Sequence, residues 1–347
     1  MGGRIAALDI SYVDRLNTDD VYTGNYSVSF GYDVKVNSVR ASTSQPVAIG
    51  ITFVYHGTLS NLLAYGAISS TDNGNIKIAQ CDDLSISNIS TWWGTASAQG
   101  TYPFMVDFDY TPYNPWNSNL TISGLTAGLT NTGVSVYLAG LRDSTVSGIT
   151  TQGSMEFLGG NSVAGYGLST AAQLTFRSGS GYVLSNVLAD SVSIGDDNPV
   201  TNSQLSNFKI SGGTSAYYAR SVWIRNSSKN WRFVHGEFAS SANNSFYIND
   251  ASESDIWLED IQDAPTGSGA YSVNNPSSAL VYFGANRFTA TISGTPTSVT
   301  IPGNLTVGLI HSSGTSPTTS SGTLVGTNAG GESEWTQFSG HYKYHLR

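Results

Sequence analysis

The sequence predicts an all-β chain wound as a right-handed parallel β-helix, with a short β-rich cap at its C-terminal end. Three observations carry this expectation. Apolar positions recur about every two dozen residues: Ile224 to Ile248 is 24 residues, and Phe233 to Leu258 and Leu258 to Phe283 are 25 each. Within each repeat, short runs alternate apolar with polar residues, the period of a strand with one buried face. Asn, Asp, Gly and Ser separate the runs, as turns require. Such a repeat buries its apolar face by coiling, each turn stacked about 4.8 Å from the last. Helical repeats have similar periods, but helical periodicity is absent from these copies.

Taken in order, residues 1–24 form a mixed N-terminal segment, with one or two helical turns expected over 6–16. The opening Met-Gly-Gly reads as the start of an expressed fragment. Alternation begins at residue 25 with Tyr26, Val28 and Phe30, then Val34, Val36 and Val39, and the β-helix is assigned to 25–298. Residues 92–116 read as an aromatic insertion carrying Trp92, Trp93, Tyr102, Tyr110, Tyr113 and Trp116. A loop this aromatic is either a packed Ω-loop or a binding wall. Regular copies resume at Val134 and are clearest over 221–286. A β-helix leaves strand edges open at its ends, so the Thr-, Ser- and Gly-rich tail, 299–347, is read as a cap or an oligomerisation element.

Composition narrows the partners. Charged residues make up 11% of the 347, against 38 Gly and 11% aromatics, so the surface is rich in hydroxyls, amides and rings. That surface suits sugars. Net charge is −9 with no basic stripe, which argues against a nucleic-acid partner. No run approaches 18 apolar residues, so no membrane insertion is expected, and the N-terminus lacks the apolar core of a signal peptide. The single cysteine, Cys81, excludes an intrachain disulfide and cysteine-based zinc sites, and reads as a small buried hydrophobe. The five histidines lack ligand spacing, so neither metal nor cofactor is expected.

Glycosidic bond cleavage needs two carboxyl groups flanking the scissile bond, about 5 Å apart for retention and about 6.5–9.5 Å for inversion. Stacked coils supply both distances, about 4.8 Å one coil on and twice that two coils on. The densest set of outward acids is Glu237, Glu259 and Asp260, read as the catalytic candidates, with Asp250 and Glu253 in the turn between. Glu237 and Asp260 each precede an inward apolar residue, Phe238 and Ile261, which sets them at matching positions 23 residues apart. Trp223 and Trp257 supply rings for a pyranose, and Arg225, Arg232 and His235 supply charge to orient one. The same residues also make a solvated turn, its acids paired with Arg225 and Arg232 across coils. Asp196 with Asp197, and Asp107 with Asp109, are the rival acid pairs.

With the repeat, the sugar-friendly surface, the acidic balance and the Gly/Ser/Thr-rich tail together, residues 25–298 resemble the bacteriophage tailspikes. The likeness is one of architecture, with a pectin-lyase-like solenoid, and not of a short motif. It implies a homotrimer on the virion, at the phage tail and outside the cell, that recognises a bacterial surface polysaccharide. It also implies a depolymerase, an endo-glycosidase acting on capsule or O-antigen, with a polysaccharide lyase as an alternative. A non-catalytic tail fibre or adhesin gripping the glycan through its aromatics is the other reading, and a purely structural solenoid a third.

Overall fold

The computed structural model describes residues 7–43, 47–66, 73–93, 101–107, 116–128, 133–211, 220–238, 244–248, 254–263, 271–274, 280–284, 290–293, 298–300, 310–312, 323–327, 333–337 and 343–346. They fall into two compact units, Met1–Leu174 and Thr175–Arg347. Both are built from parallel coils, and the described residues contain strands, turns and bends but no helix. The chain is therefore an all-β parallel β-helix, as its sequence predicts.

In the first unit, Leu8–Thr23, Tyr26–Thr43 and Ile49–Gly66 are long strands of 16, 18 and 18 residues stacked in parallel. Asp82–Trp93, Thr121–Gly128, Leu141–Thr151 and Gly160–Thr170 continue that stack. A second row holds Asn73–Ala79, Thr101–Asp107, Val134–Ala139 and Ser154–Leu158. Thr101–Asp107 lies inside the expected aromatic insertion, so part of that insertion is itself a rung. Tyr110, Tyr113 and Asp109 lie outside the described residues.

The second unit stacks Gly179–Ala189, Val200–Ile210, Lys229–Phe238, Ser254–Asp263, Leu280–Gly284 and Ser298–Thr300. Its other row runs Ser191–Ile194, Arg220–Ile224, Asn244–Ile248, Tyr271–Asn274, Ala290–Ser293 and Ile310–Ser312. Thr323–Thr327, Ser333–Gln337 and Lys343–Leu346 then form a three-stranded antiparallel sheet.

Long strands can wrap around a core because each bends at residues in the left-handed region. These occur in pairs five apart: Arg15/Asp20, Asp33/Ser38, His56/Asn61, Asp83/Asn88, Asn119/Gly124, Asp143/Gly148 and Ser162/Gly167 in the first unit. Gly181/Asn186, Asn202/Asn207 and Asn230/His235 follow in the second. Gly, Asn and Asp dominate because Gly has no Cβ and the short side chains of Asn and Asp tolerate positive φ at least cost.

Each corner resets which side faces in. Along Val200–Ile210 the buried residues are Val200, Ser203, Leu205, Phe208 and Ile210, a spacing of three, two, three and two rather than a steady two. That spacing explains a correction. Where helical turns are expected over 6–16, residues 8–16 are strand, because Ile10, Val13 and Leu16 point inward three apart around corners at Tyr12 and Arg15. Three-residue steps imitate a helix when read as sequence.

Candidate functional site

The catalytic candidates stand on the outer face of the second unit. Strand register pairs Val234 with Glu259, Gly236 with Ile261 and Glu237 with Gln262. Glu237 and Asp260 therefore do not match: Glu237 sits beside Gln262, and Asp260 shares the corner column of His235. Apolar spacing along the sequence equates the residues preceding Phe238 and Ile261. The corner shifts the inward residues, so Ile261 stacks on Gly236, not on Phe238. Gly236 is held small by the coil before it, since a Cβ there would meet the Phe208 ring at 2.0 Å.

Each candidate acid faces a base. Lys209 Nζ donates to both Glu237 carboxylate oxygens at 3.2 Å, from the preceding coil. Arg232 Nη2 donates to Glu259 at 3.2 and 3.3 Å, and its guanidinium lies 5.7 Å from the Trp257 ring centre. His235 Nδ1 is 2.9 Å from Asp260 Oδ2. Glu259 and Glu237 lie on opposite sides of the His235/Asp260 corner, so the strand bends between them. Asp250 and Glu253 lie outside the described residues.

Trp223 and Arg225 belong elsewhere in this unit. Trp223 is on the other strand row, paired with Ser193 and Tyr247. Arg225, in the turn that follows, caps the Trp223 ring at 3.9 Å and donates to Asp196, not to Glu259 or Asp260. Asp197 accepts from Arg177 at 2.8 and 3.1 Å. The rival Asp196–Asp197 pair is thus a turn held by two guanidiniums. In the first unit Asp107 accepts from Lys77 at 2.8 Å.

A second candidate site was not picked out from the sequence. It is a groove of about 520 Å³ on the first unit, crossing four coils. Its floor is an amide ladder. Asn88 donates to Asn61 Oδ1, Asn61 Nδ2 to Asn37 Oδ1 at 2.6 Å, and Asn37 Nδ2 to Asp19 Oδ1 at 2.8 Å. Ser38 donates to Asp20 at 2.6 Å beside it. Arg40, Leu63 and Ser90 form the adjoining wall, in register one above another.

Three exposed rings rim this wall. Tyr22 takes the Arg40 guanidinium at 5.1 Å, Trp92 Nε1 donates to Ser90 at 3.1 Å, and Tyr65 is the strand neighbour of Trp92. Tyr22, Tyr65 and Trp92 are 51%, 47% and 39% exposed. Trp92 lies across Gly128 of the next coil, where a Cβ would meet the indole at 2.4 Å. The glycine is what lets the ring lie flat. Amides and carboxylates that exchange hydrogen bonds with hydroxyls, beside flat rings, are the chemistry of a carbohydrate surface.

The signal for this groove was in the sequence: Asp20, Ser38, Asn61 and Asn88 are the corner residues of four successive coils. Seeing them as one column needs coil lengths of 18, 23 and 27 residues between them, which no constant period supplies.

No family model matches the chain. Among solved structures, the crystal structure of the tailspike protein gp49 from Pseudomonas phage LKA1 aligns at a TM-score of 0.40 and 12% identity. The alignment covers 92% of this chain and 53% of that one, so the chain spans about half the length of that tailspike. No residue role is taken from it. No described helix is long and apolar enough to cross a membrane.

Proposed function

We propose that this chain is a tailspike-type receptor-binding β-helix that grips a bacterial surface polysaccharide along the groove of its first unit. The observation that supports it most is the pairing of an outward amide–carboxylate ladder with three exposed rings over the same four coils. Three coil spacings make the ladder about 14 Å long, the reach of a short oligosaccharide. The phage assignment, and the expected homotrimer, come from the sequence resemblance. Light scattering at three times the 36.7 kDa chain mass would support the trimer.

The second reading is cleavage at Glu237, Glu259 and Asp260, favoured by three outward carboxylates on two neighbouring coils of the second unit. Its weakness is that each acid is occupied by a base on the same surface. One experiment addresses both. Purified protein is incubated with a panel of capsular and O-antigen polysaccharides, and binding and chain length are read together by size-exclusion chromatography. Retention of one polymer at unchanged length is the expected result. Shortening that a Glu259→Gln variant abolishes would make the second unit the working site, and no retention of any polymer would sink the proposal.

A further inference from the structure

We infer that the groove takes an uncharged polysaccharide and rejects chains bearing carboxylate or phosphate substituents. This rests on the groove being the glycan site and adds the class of glycan. The argument is one of donors and acceptors. The ladder runs one way, each amide donating to the coil before it, and ends on Asp19. Asn61 Oδ1 and Asn37 Oδ1 are consumed inside it, Asn37 accepting from Ser60 at 2.9 Å as well. Beside the Asn88 amide oxygen, the acceptors left toward a ligand are the second oxygens of Asp19 and Asp20. Among the described residues neither has a further partner.

Sugar hydroxyls donate to such oxygens, and a carboxylate takes two of them at once. A uronate or phosphate group brings acceptors only: the second amide hydrogens of the ladder and the Arg40 guanidinium can donate to it, but two carboxylates repel it. Arg40, the one cation among the described lining residues, lies over the Tyr22 ring, and its single charge does not balance the two carboxylates. Two carboxylates against one guanidinium leave the groove net negative, on a chain of net charge −9. Like charge held at contact distance is one way a binding surface excludes a wrong partner.

The test uses an array of bacterial capsular and O-antigen polysaccharides, sorted by whether the repeat carries carboxylate or phosphate. It is probed with the full chain, with Trp92→Ala and Tyr65→Ala, and with Arg40→Gln. The expected result is ring-dependent binding confined to uncharged repeats. That binding should change less than about threefold between low salt and about 0.5 M NaCl, since little of it is Coulombic. Ring-dependent binding to a charged repeat, weakened tenfold or more by Arg40→Gln or by salt, would overturn the inference and leave the groove standing. Absence of ring-dependent signal on every polymer would instead remove the groove as the site, and the inference with it.

Discussion

The outer corners of the two units share a backbone and differ in chemistry. In the first unit the column Asp20, Ser38, Asn61, Asn88, Gly124, Gly148 and Gly167 begins with short polar side chains and ends in glycine. In the second the corresponding kind of column reads Asn186, Asn207, His235 and Asp260. Beside the first lie amides bonded to amides. Beside the second lie Lys209–Glu237, Arg232–Glu259 and His235–Asp260. The coil fixes where a side chain stands, and the residue type alone then decides whether the column is a hydrogen-bond ladder or an ion-pair ladder. A ladder of neutral amides leaves hydroxyl-matching groups open to a ligand, whereas opposite charges on neighbouring coils satisfy each other.

The inward faces carry no such difference, and breaking them should hurt both units. Trp231, fully buried with Nε1 donating to Val200 O at 3.1 Å, packs on Phe233 and Phe176. Its replacement by Ala should cost about 3–5 kcal/mol in denaturant unfolding, and Ile86→Ala in the first unit about 2–5. A loss below about 1 kcal/mol in either would show a core looser than its burial implies.

Glycine positions sharpen the comparison. Gly236→Ala drives a methyl into the Phe208 ring and should cost about 1–3 kcal/mol by overpacking. Gly148→Ala meets nothing closer than 3.5 Å, but φ is +57°, so about 1–2 kcal/mol of backbone strain is expected. Gly148→Asn should lose less, because that residue type already occupies the column at Asn61 and Asn88. Thermal midpoints of the three variants give the order directly.

The ion pairs should matter least for stability. Lys209, Glu237 and Arg232 are a third to a half exposed, and such pairs contribute up to about 1 kcal/mol. Lys209→Gln should shift the midpoint slightly at low salt and not at all at about 1 M NaCl. A shift that survives high salt would point to a packing role for the lysine stem.

Cys81 gives a pH-dependent check on the first unit. Burial pushes its thiol up from 9.0 to about 12. The unfolded chain loses that proton first, so this contribution to stability is complete below pH 9 and is lost as pH rises toward 12. A Cys81→Ala variant should show a shallower alkaline decline, and maleimide should label the native thiol only after unfolding.

The coil architecture was legible because apolar residues such as Phe233, Leu258 and Phe283 recur at nearly constant spacing and stand in strand register. The corners were not. Tyr12, Phe30 and Phe53 adopt positive φ and stack at 4.8 and 4.7 Å, although bulky side chains seldom enter that region. No composition rule would place corners there. The acid cluster was visible as residues, but its partners were not. Lys209 precedes Glu237 by 28 residues, and only the register shows them adjacent. The groove needs four coils of unequal length to be superposed, so its column was scattered through the text as unrelated Asn and Asp.

The most direct test of the central claim is hydroxyl-radical footprinting of the protein with and without the polysaccharide it retains. The account predicts protection of Tyr22, Tyr65 and Trp92, with Trp223 and Trp257 unchanged. Protection of Trp257 with no change at Tyr65 or Trp92 would contradict it and move the glycan to the second unit.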